Sequence, residues 1–256
     1  VLLVKAKDDD ADVRAAHVVS ALGIPLRYPD LGVRVLSISL GVDPGDPQSA
    51  EIERAVERAT AAGVVVVAAA GNVADRAPTA PASAKSAITV GGFDDGGTID
   101  ASDDGPWPSS HGGGKPDLLA PAAWVPAPMV QGTLEAREAH ALYDLLTVLE
   151  EMSLEPSSLP ALAESSADLL ERVGARIALQ KYIARDYQHV DGTSFAAPIV
   201  ASIVAQMLEA NPALGPADVR EGLLHTARKL EGVPAEIQGA GLVQAAAAVA
   251  WAESRR

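Results

Sequence analysis

The sequence predicts an α/β fold, in which a mainly parallel β-sheet is flanked by helices on both faces and a helical hairpin is inserted in the second half. Strand-like and helix-like segments alternate through residues 1–120, and this order favours parallel strands joined by right-handed crossovers. The apolar run Val64–Ala70 has the length of a strand and is bounded by glycines, which is typical of a strand buried on both faces. Leucines at helical spacing then follow within residues 132–184 and predict the hairpin.

Each element of the first half can be placed from its pattern. The predicted strands are Val1–Val4, Val33–Leu40, Val64–Ala70, Ala87–Val90 and Leu118–Ala120. The predicted helices run from Asp10 or Asp12 to Leu22 and from Pro47 to Ala62, where Gly63 ends the second one. Residues 94–116 are rich in Gly, Asp, Ser and Pro and are predicted to be a loop. Because Val1–Val4 enters a core-like strand without a lead-in, we expect that polypeptide precedes residue 1.

The second half divides into an insertion and a return to the main domain. Two amphipathic helices that break near Glu155 are predicted within the insertion, residues 125–184. Residues 1–124 and 185–256 are predicted to form the main domain. Its last helices are expected at Ser194–Ala210, Pro216–Lys229 and Leu242–Ala252. The insertion could serve as a lid, a regulatory arm or a docking surface, or could be a surface elaboration with no separate role.

Composition excludes several classes of function. The chain has 256 residues and a formal net charge of −14, which argues against binding to nucleic acid and to an anionic membrane surface. It contains no cysteine, so disulfides, thiolate metal sites and cysteine nucleophiles are excluded. No cofactor is expected. Calcium binding through carboxylate oxygens is one expectation for Asp8, Asp9 and Asp10, and a solvated loop with a helix cap is the other.

The segment Gly192-Thr193-Ser194-Phe195-Ala196-Ala197-Pro198 carries the strongest chemical signal. It places a serine in the first turn of a buried helix, where unpaired N–H groups and the helix dipole stabilise negative charge. That environment suits acyl transfer through an oxyanion. Pro198 is expected at a position where its missing N–H does no harm. The alternative is that Ser194 only caps an ordinary core helix.

Seven short motifs together resemble the subtilisin-like serine proteases, or subtilases. In chain order they are Ser37–Gly41, Ala68–Asn72, Pro81–Ser83, Ala87–Gly91, Lys115–Pro121, Gly192–Pro198 and Gly239–Val243. The resemblance covers nearly all of the chain outside about 125–188. It implies a subtilisin-like fold, and it suggests an extracellular or periplasmic location.

The resemblance also assigns roles to individual residues. Ser194 would attack the scissile carbonyl, while the Asn72 side-chain amide and the Ser194 backbone N–H would hold the oxyanion. The alternative for Asn72 is a turn residue that tolerates a positive φ angle. The residues expected to bind substrate by main-chain pairing or to line the pocket are Ser39, Leu40, Gly41, Ala69, Ala70 and Gly71.

The general base and its orienting carboxylate have no counterpart in this sequence. The family supplies them from an Asp-Thr/Ser-Gly motif and a His-Gly-Thr-His motif, and neither occurs here. The five histidines are His17, His111, His140, His189 and His225. None has the family context, although His189 lies five residues before Ser194. Asp191 departs from the Ser or Asn that the family often has before this glycine.

Three hypotheses of function follow. The first is a serine endopeptidase acting on polypeptides, in which an N-terminal protease fragment supplies the Asp and His, so that this chain alone is nearly inert. The missing part would then be cleaved off or simply outside this chain. The second is a catalytically inactive pseudo-protease that binds peptides on the same scaffold. The third is an unrelated hydrolase that uses His189.

Overall fold

The computed structural model describes residues 1–6, 14–42, 45–74, 76–100, 102–110, 115–154 and 160–256. The described helices are α1 (Ala15–Leu22), α2 (Ile24–Arg27), α3 (Ser49–Ala61), α4 (Leu134–Leu154), α5 (Pro160–Leu179), α6 (Thr193–Ala210), α7 (Pro216–Thr226), α8 (Ala235–Gln238) and α9 (Ala245–Glu253). The described strands are β1 (Val35–Ile38), β2 (Val65–Ala69), β3 (Ile88–Asp94), β4 (Gly105–Pro106), β5 (Leu118–Pro121), β6 (Val125–Pro128), β7 (Tyr182–Ala184) and β8 (Tyr187–Val190). They divide into one unit of Val1–Ala123 with Asp191–Arg256 and a second unit of Trp124–Val190.

The first unit is built on a mainly parallel sheet, as the sequence predicts. Strand β1 pairs with β2, β2 with β3, and β3 with β5, all in parallel, while the short β4 is antiparallel to β3. The register places Ile38 opposite Ala68 and Ala69 opposite Val90. The carboxyl ends of β1 and β2 therefore lie side by side, which is the edge where parallel α/β sheets bind ligands.

Strand β2 shows why this sheet is covered on both faces. Val65 and Val67 pack in a core that α6, α7 and α9 complete, whereas Val64 and Val66 belong to a second core with α1 and α3. All four valines are no more than 4% exposed. The wholly apolar run Val64–Ala70 is therefore explained by burial on two sides, and the predicted α/β fold is confirmed.

Helix α6 is the central helix of the first unit. It packs against β1, β2, β3 and β5 and against α9. By length and composition it is the one described helix that could cross a membrane, with a mean hydropathy of 1.3. Half of its residues are buried inside the protein, however, and a core helix passes the same test.

A polar network fixes β5 against β3. Thr89 and Asp117 exchange bonds, because the Thr89 N–H donates to Asp117 Oδ2 and the Asp117 N–H donates to the Thr89 carbonyl, each at 2.8 Å. Arg220 from α7 pairs with the other Asp117 oxygen. The Lys115 ammonium donates to the Ala84 carbonyl at 3.1 Å and to Thr89 Oγ1 at 2.9 Å. Burial lowers the pKa of Lys115, and the Asp117 carboxylate opposes this effect.

The second unit contains the predicted helical hairpin and a small sheet that was not predicted. Helices α4 and α5 pack together, and an ion pair joins Arg176 to Glu138 at 2.7 Å. Glu138 also accepts a hydrogen bond from the Tyr182 hydroxyl at 3.0 Å.

Strands β6, β8 and β7 form an antiparallel sheet in that order. Strand β6 alternates Pro with Val and Ala, and because Pro argues against a strand, its sequence did not predict one. The unit runs from Trp124 to Val190, whereas the predicted insertion spans 125–184.

The prediction of a strand at Val1–Val4 is wrong. Residues 1–6 form no strand, and the side chains of Val1 to Val4 are exposed. Apolar composition alone does not make a strand, because each strand needs a neighbour that accepts and donates its backbone hydrogen bonds. Within the described part of the chain no strand pairs with this segment.

Candidate active site

The N-terminus of α6 carries the predicted nucleophile. The helix begins at Thr193, so Ser194 is its second residue. Gly192 precedes it with a φ of 148°, a conformation that side-chain-bearing residues rarely adopt. The Gly192 N–H donates to the Ala122 carbonyl at 2.6 Å, which ties the start of the helix to the chain just after β5.

Asn72 reaches this helix from the end of β2. The strand ends at Ala69, and Gly71 then turns the chain with a φ of 110°. The Gly71 N–H donates to Thr193 Oγ1 at 3.1 Å. This contact brings the turn of the predicted Ala69, Ala70 and Gly71 segment against the first residue of α6.

Thr193 fixes the orientation of the Asn72 amide. Asn72 Oδ1 accepts hydrogen bonds from the Thr193 backbone N–H at 3.0 Å and from the Thr193 hydroxyl at 2.8 Å. Thr193 is fully buried, whereas Asn72 is exposed. Since two donors hold the carbonyl oxygen, the amide nitrogen must point the other way. Among the described residues it forms no hydrogen bond, so both of its hydrogens are available to a ligand.

The first turn of α6 leaves one backbone N–H unused. A helix begins with four N–H groups that have no partner within it. Three of them have acceptors: Gly192 N–H with Ala122 O at 2.6 Å, Thr193 N–H with Asn72 Oδ1 at 3.0 Å, and Phe195 N–H with Gly192 O at 3.0 Å. The fourth belongs to Ser194, and no acceptor pairs with it in the described ranges.

The two unused donors lie close together. A Cβ atom built on Gly192 would lie 3.3 Å from Asn72 Nδ2 and 3.7 Å from the Ser194 backbone nitrogen. One point next to Gly192 is thus within 4 Å of both donors. Two N–H groups close to one point, at the positive end of a helix dipole, can stabilise an oxyanion.

The predicted substrate strand lies on the neighbouring edge. Ser39, Leu40 and Gly41 follow the end of β1, beside the end of β2 that leads to Ala69 and Gly71. The Ser39 hydroxyl donates to the Ser194 carbonyl at 2.8 Å. A Cβ at Gly41 would lie 2.8 Å from Thr79 Oγ1, so a side chain there would require the Thr79 hydroxyl to move. The fold therefore brings the predicted substrate-binding residues to the same edge as the nucleophile.

The described histidines of the first unit do not complete a catalytic dyad. The side chains of His17 on α1 and His225 on α7 form no hydrogen bond with a carboxylate in the described residues. In the second unit His140 Nε2 pairs with Asp186 at 2.9 Å, and the His189 Nδ1–H donates to the Trp124 carbonyl at 2.6 Å. This bond leaves Nε2 as the unprotonated nitrogen of neutral His189. His111 lies outside the described residues.

Metal binding stays a prediction. In the ranges that the structure describes, no group of three or more His, Cys, Asp or Glu residues could hold a metal ion. Asp8, Asp9 and Asp10, where calcium is one expectation, fall outside those ranges.

Comparison with known proteins decides the family. The sequence model of the subtilase family, Peptidase_S8, matches residues 1–241. The chain belongs to the subtilases. The resemblance seen in its motifs is thereby confirmed, and so is its subtilisin-like fold class.

Two curated relatives match different lengths of this subtilase. Serine protease AprX from Bacillus subtilis (strain 168) is 32% identical over 228 residues, which is 85% of this chain and 43% of AprX. Subtilisin-like protease 2 from Pseudogymnoascus destructans is 40% identical over 95 residues, which is 37% of this chain and 23% of that protein. The chain thus spans less than half of the length of either relative.

Solved structures share the fold at low sequence identity. The prenylagaramide maturation protease PagA superposes with a TM-score of 0.63 and 18% identity, covering 97% of this subtilase and 71% of PagA. The self-cleaved protease domain of PatA gives a TM-score of 0.61 and 21% identity, covering 96% of this chain and 71% of that domain. At this level of identity the likeness shows the fold alone.

Two features of this subtilase site escaped sequence reasoning. Thr193 received no role, although its buried hydroxyl links Gly71 to Asn72; its place between Gly192 and Ser194 in the nucleophile motif was the available signal. The expectation for Pro198 is also wrong. Pro198 is the sixth residue of α6, so its missing N–H is the one that would bond to the Ser194 carbonyl.

Proposed function

We propose that this chain is the nucleophile-bearing part of a subtilisin-type serine endopeptidase. The observation that carries the proposal is that Asn72 Nδ2 and the Ser194 backbone nitrogen lie within 4 Å of one point, with no protein acceptor for either in the described residues. Because Asn72 is exposed, a ligand can reach its amide nitrogen from solvent. Membership of the subtilase family and the match to AprX support serine peptidase activity.

The reaction would proceed through an acyl-enzyme. Ser194 Oγ bonds to the peptide carbonyl carbon while its proton passes to a general base, and the carbonyl oxygen becomes the oxyanion held by Asn72 and the Ser194 N–H. The C–N bond then breaks as the base returns the proton to the leaving amine. Water hydrolyses the ester by the same steps and regenerates Ser194.

The general base and its orienting Asp would come from an N-terminal protease fragment. The sequence has neither of the family motifs that carry them, and the described His17 and His225 have no carboxylate partner. The PatA protease domain, whose fold this chain shares, is described as self-cleaved, which supports cleavage as the origin of a separate fragment. In a subtilisin, loss of the nucleophile or of the histidine alone lowers kcat about 10⁶-fold, so this chain by itself would be nearly inert.

The substrate would be a polypeptide in extended conformation. Ser39, Leu40 and Gly41 continue β1 beyond its last pairing with β2, so their backbone groups can pair with an added strand. Ala69, Ala70 and Gly71 would form the other wall of the pocket for the residue before the cleaved bond. Their small side chains leave room for a large apolar residue at that position.

A catalytically inactive peptide-binding scaffold is the second candidate. The absence of a carboxylate-paired histidine among the described residues of the first unit favours it. It predicts peptide binding at the Ser39–Gly41 edge without labelling of Ser194 under any condition.

Labelling with a fluorophosphonate probe, followed by intact mass of every polypeptide in the sample, tests the proposal. We expect no label on the chain alone and stoichiometric label on Ser194 once a segment with Asp-x-Gly and His-Gly-Thr-His motifs is added; Ser194→Ala is the control. Failure to label with the segment present would overturn the proposal in favour of the inactive scaffold. Labelling of the chain alone that His189→Ala abolishes would instead support the hydrolase that uses His189.

A further inference from the structure

Helix α6 contains a break in its hydrogen-bond ladder directly at the nucleophile. In an α-helix the carbonyl of residue i accepts from the N–H of residue i+4. For Ser194 that residue is Pro198, which has no N–H and whose ring crowds the carbonyl four residues earlier. The Ser194 carbonyl is therefore deprived of its helical donor.

The Ser39 hydroxyl donates to the Ser194 carbonyl in place of the missing Pro198 N–H. Its Oγ lies 2.8 Å from the Ser194 carbonyl oxygen, within the usual range for an O–H···O bond. The two residues are 155 positions apart in the chain. Ser39 directly follows Ile38, the last residue of β1, so it is anchored at one end by the central sheet.

We propose that Ser39 is a positioning residue for Ser194: its side chain supplies the hydrogen bond that Pro198 withholds and so fixes the first turn of α6 relative to the substrate strand. This inference rests on the proposed function and goes beyond the main-chain role expected for Ser39. The Ser39 backbone would pair with the peptide while its hydroxyl holds the residue that attacks that peptide. Ser39 would then fix the position of the substrate strand relative to Ser194.

This role predicts a separation between catalysis and binding. Ser39→Ala removes the hydroxyl but keeps every backbone group that would pair with substrate. We therefore expect kcat for an extended peptide to fall about three- to tenfold while KM stays nearly constant, since one neutral hydrogen bond is lost. A residue that merely stabilised the fold would lower the amount of active protein instead.

Pro198 allows the proposal to be tested by restoration. Pro198→Ala returns an N–H to the position that serves the Ser194 carbonyl, so the loss caused by Ser39→Ala should be smaller in that background. The four proteins of this cycle are compared as the complex of the chain with its N-terminal segment. Ser202→Ala is the matched control, because the Ser202 hydroxyl donates to the Ile199 carbonyl at 2.7 Å on the same helix; it should leave the labelling rate of Ser194 unchanged.

A second readout does not depend on activity. The Phe195 N–H, which donates to Gly192 O in the first turn, should exchange with deuterium faster in Ser39→Ala and regain protection when Pro198→Ala is added. Equal effects of Ser39→Ala in both backgrounds, by labelling rate or by exchange, would overturn the proposal. If no protein of the cycle labels, the proposed peptidase function fails, and the exchange data alone decide whether Ser39 positions Ser194.

Discussion

The Asn72 carboxamide is held by Thr193 through two hydrogen bonds to a single oxygen atom, one from the backbone N–H at 3.0 Å and one from the hydroxyl at 2.8 Å. An amide group has two possible orientations, and this contact selects the one in which the nitrogen is exposed to a ligand. The donor is thus in place before any substrate arrives. Preorganisation of this kind is what makes electrostatic stabilisation of a transition state effective.

Replacement of Asn72 should lower the rate of the reaction, and it should also cost some stability because the buried Thr193 N–H and hydroxyl lose their acceptor. Asn72→Ala removes the exposed donor, and loss of one oxyanion-hole donor lowers kcat by about 10²–10³-fold where it has been measured, a subtilisin included. Peptide hydrolysis by the chain with its N-terminal segment would measure this, and KM should change little. Asn72→Asp keeps the acceptor but not the donor, so a variant that retained full activity would exclude the proposed role.

Thr193 should contribute to both stability and rate. Thr193→Val keeps the shape but removes the hydroxyl, which leaves the Gly71 N–H and the Asn72 oxygen each short of one partner. We expect the free energy of unfolding to fall by about 1–3 kcal/mol and the labelling of Ser194 to slow. Thr193→Ser keeps the hydroxyl and is the control. Equal behaviour of the two variants would mean that the hydroxyl does not orient Asn72.

Lys115 should make the free energy of unfolding change with pH in the alkaline range. Burial lowers its folded-state pKa below the ordinary 10.5, so the unfolded chain binds more protons between those two values. The free energy of unfolding should therefore rise as the pH increases through the lowered pKa towards 10.5. Chemical denaturation at several pH values would show this rise in the parent and its loss in Lys115→Met. A parallel pH dependence in both proteins would contradict the assignment.

Lys115→Met should also be less stable near neutral pH. The substitution leaves the Ala84 carbonyl and Thr89 Oγ1 without the ammonium that donates to them. We expect a cost of about 1–3 kcal/mol in the free energy of unfolding. Lys85→Met is a suitable control, since the Lys85 side chain is exposed.

Tyr182 should give the second unit a stability loss at high pH. Burial, with a smaller contribution from the bond to Glu138, raises its pKa from 10.0 to about 12. The unfolded chain loses this proton first, so stability present below pH 10 is lost as the pH rises towards about 12. Hydrogen exchange in residues 124–190 of the intact chain should detect the loss, which Tyr182→Phe should reduce; burial also raises the pKa of Tyr143 in the same unit, so part of the loss should remain. Tyr187→Phe, at a half-exposed site, should behave like the parent.

Much of the fold follows from local pattern, and the failures have a common cause. The run Val64–Ala70 and the leucine spacing of the hairpin report burial directly, so they predict β2, α4 and α5. Val1–Val4 has the same apolar character, yet forms no strand, and no described strand pairs with it. Pairing and tertiary contact are properties of distant residues, and a pattern read along the chain does not contain them.

In the candidate site, too, local pattern predicts some residues but not the contacts between distant ones. Motif resemblance singles out Ser194 and Asn72, and in the structure one nitrogen of each lies within 4 Å of a point beside Gly192. The bond from Ser39 to the Ser194 carbonyl joins residues 155 positions apart, so no local signal could predict it. The consequence of Pro198 was missed for a related reason, because the effect of its absent N–H depends on where the helix begins.

Two glycines, Gly71 and Gly192, come shortly before Asn72 and Ser194, the two proposed oxyanion donors, and have φ angles of 110° and 148°. A methyl group at Gly192 would lie 3.3 Å from Asn72 Nδ2 and 3.7 Å from the Ser194 nitrogen, close to both donors. In a library that randomises these positions, selection for hydrolysis should therefore return glycine at both, whereas selection for folding alone should tolerate more. The proposed site thus depends on two positions that carry no side chain as well as on the residues that donate.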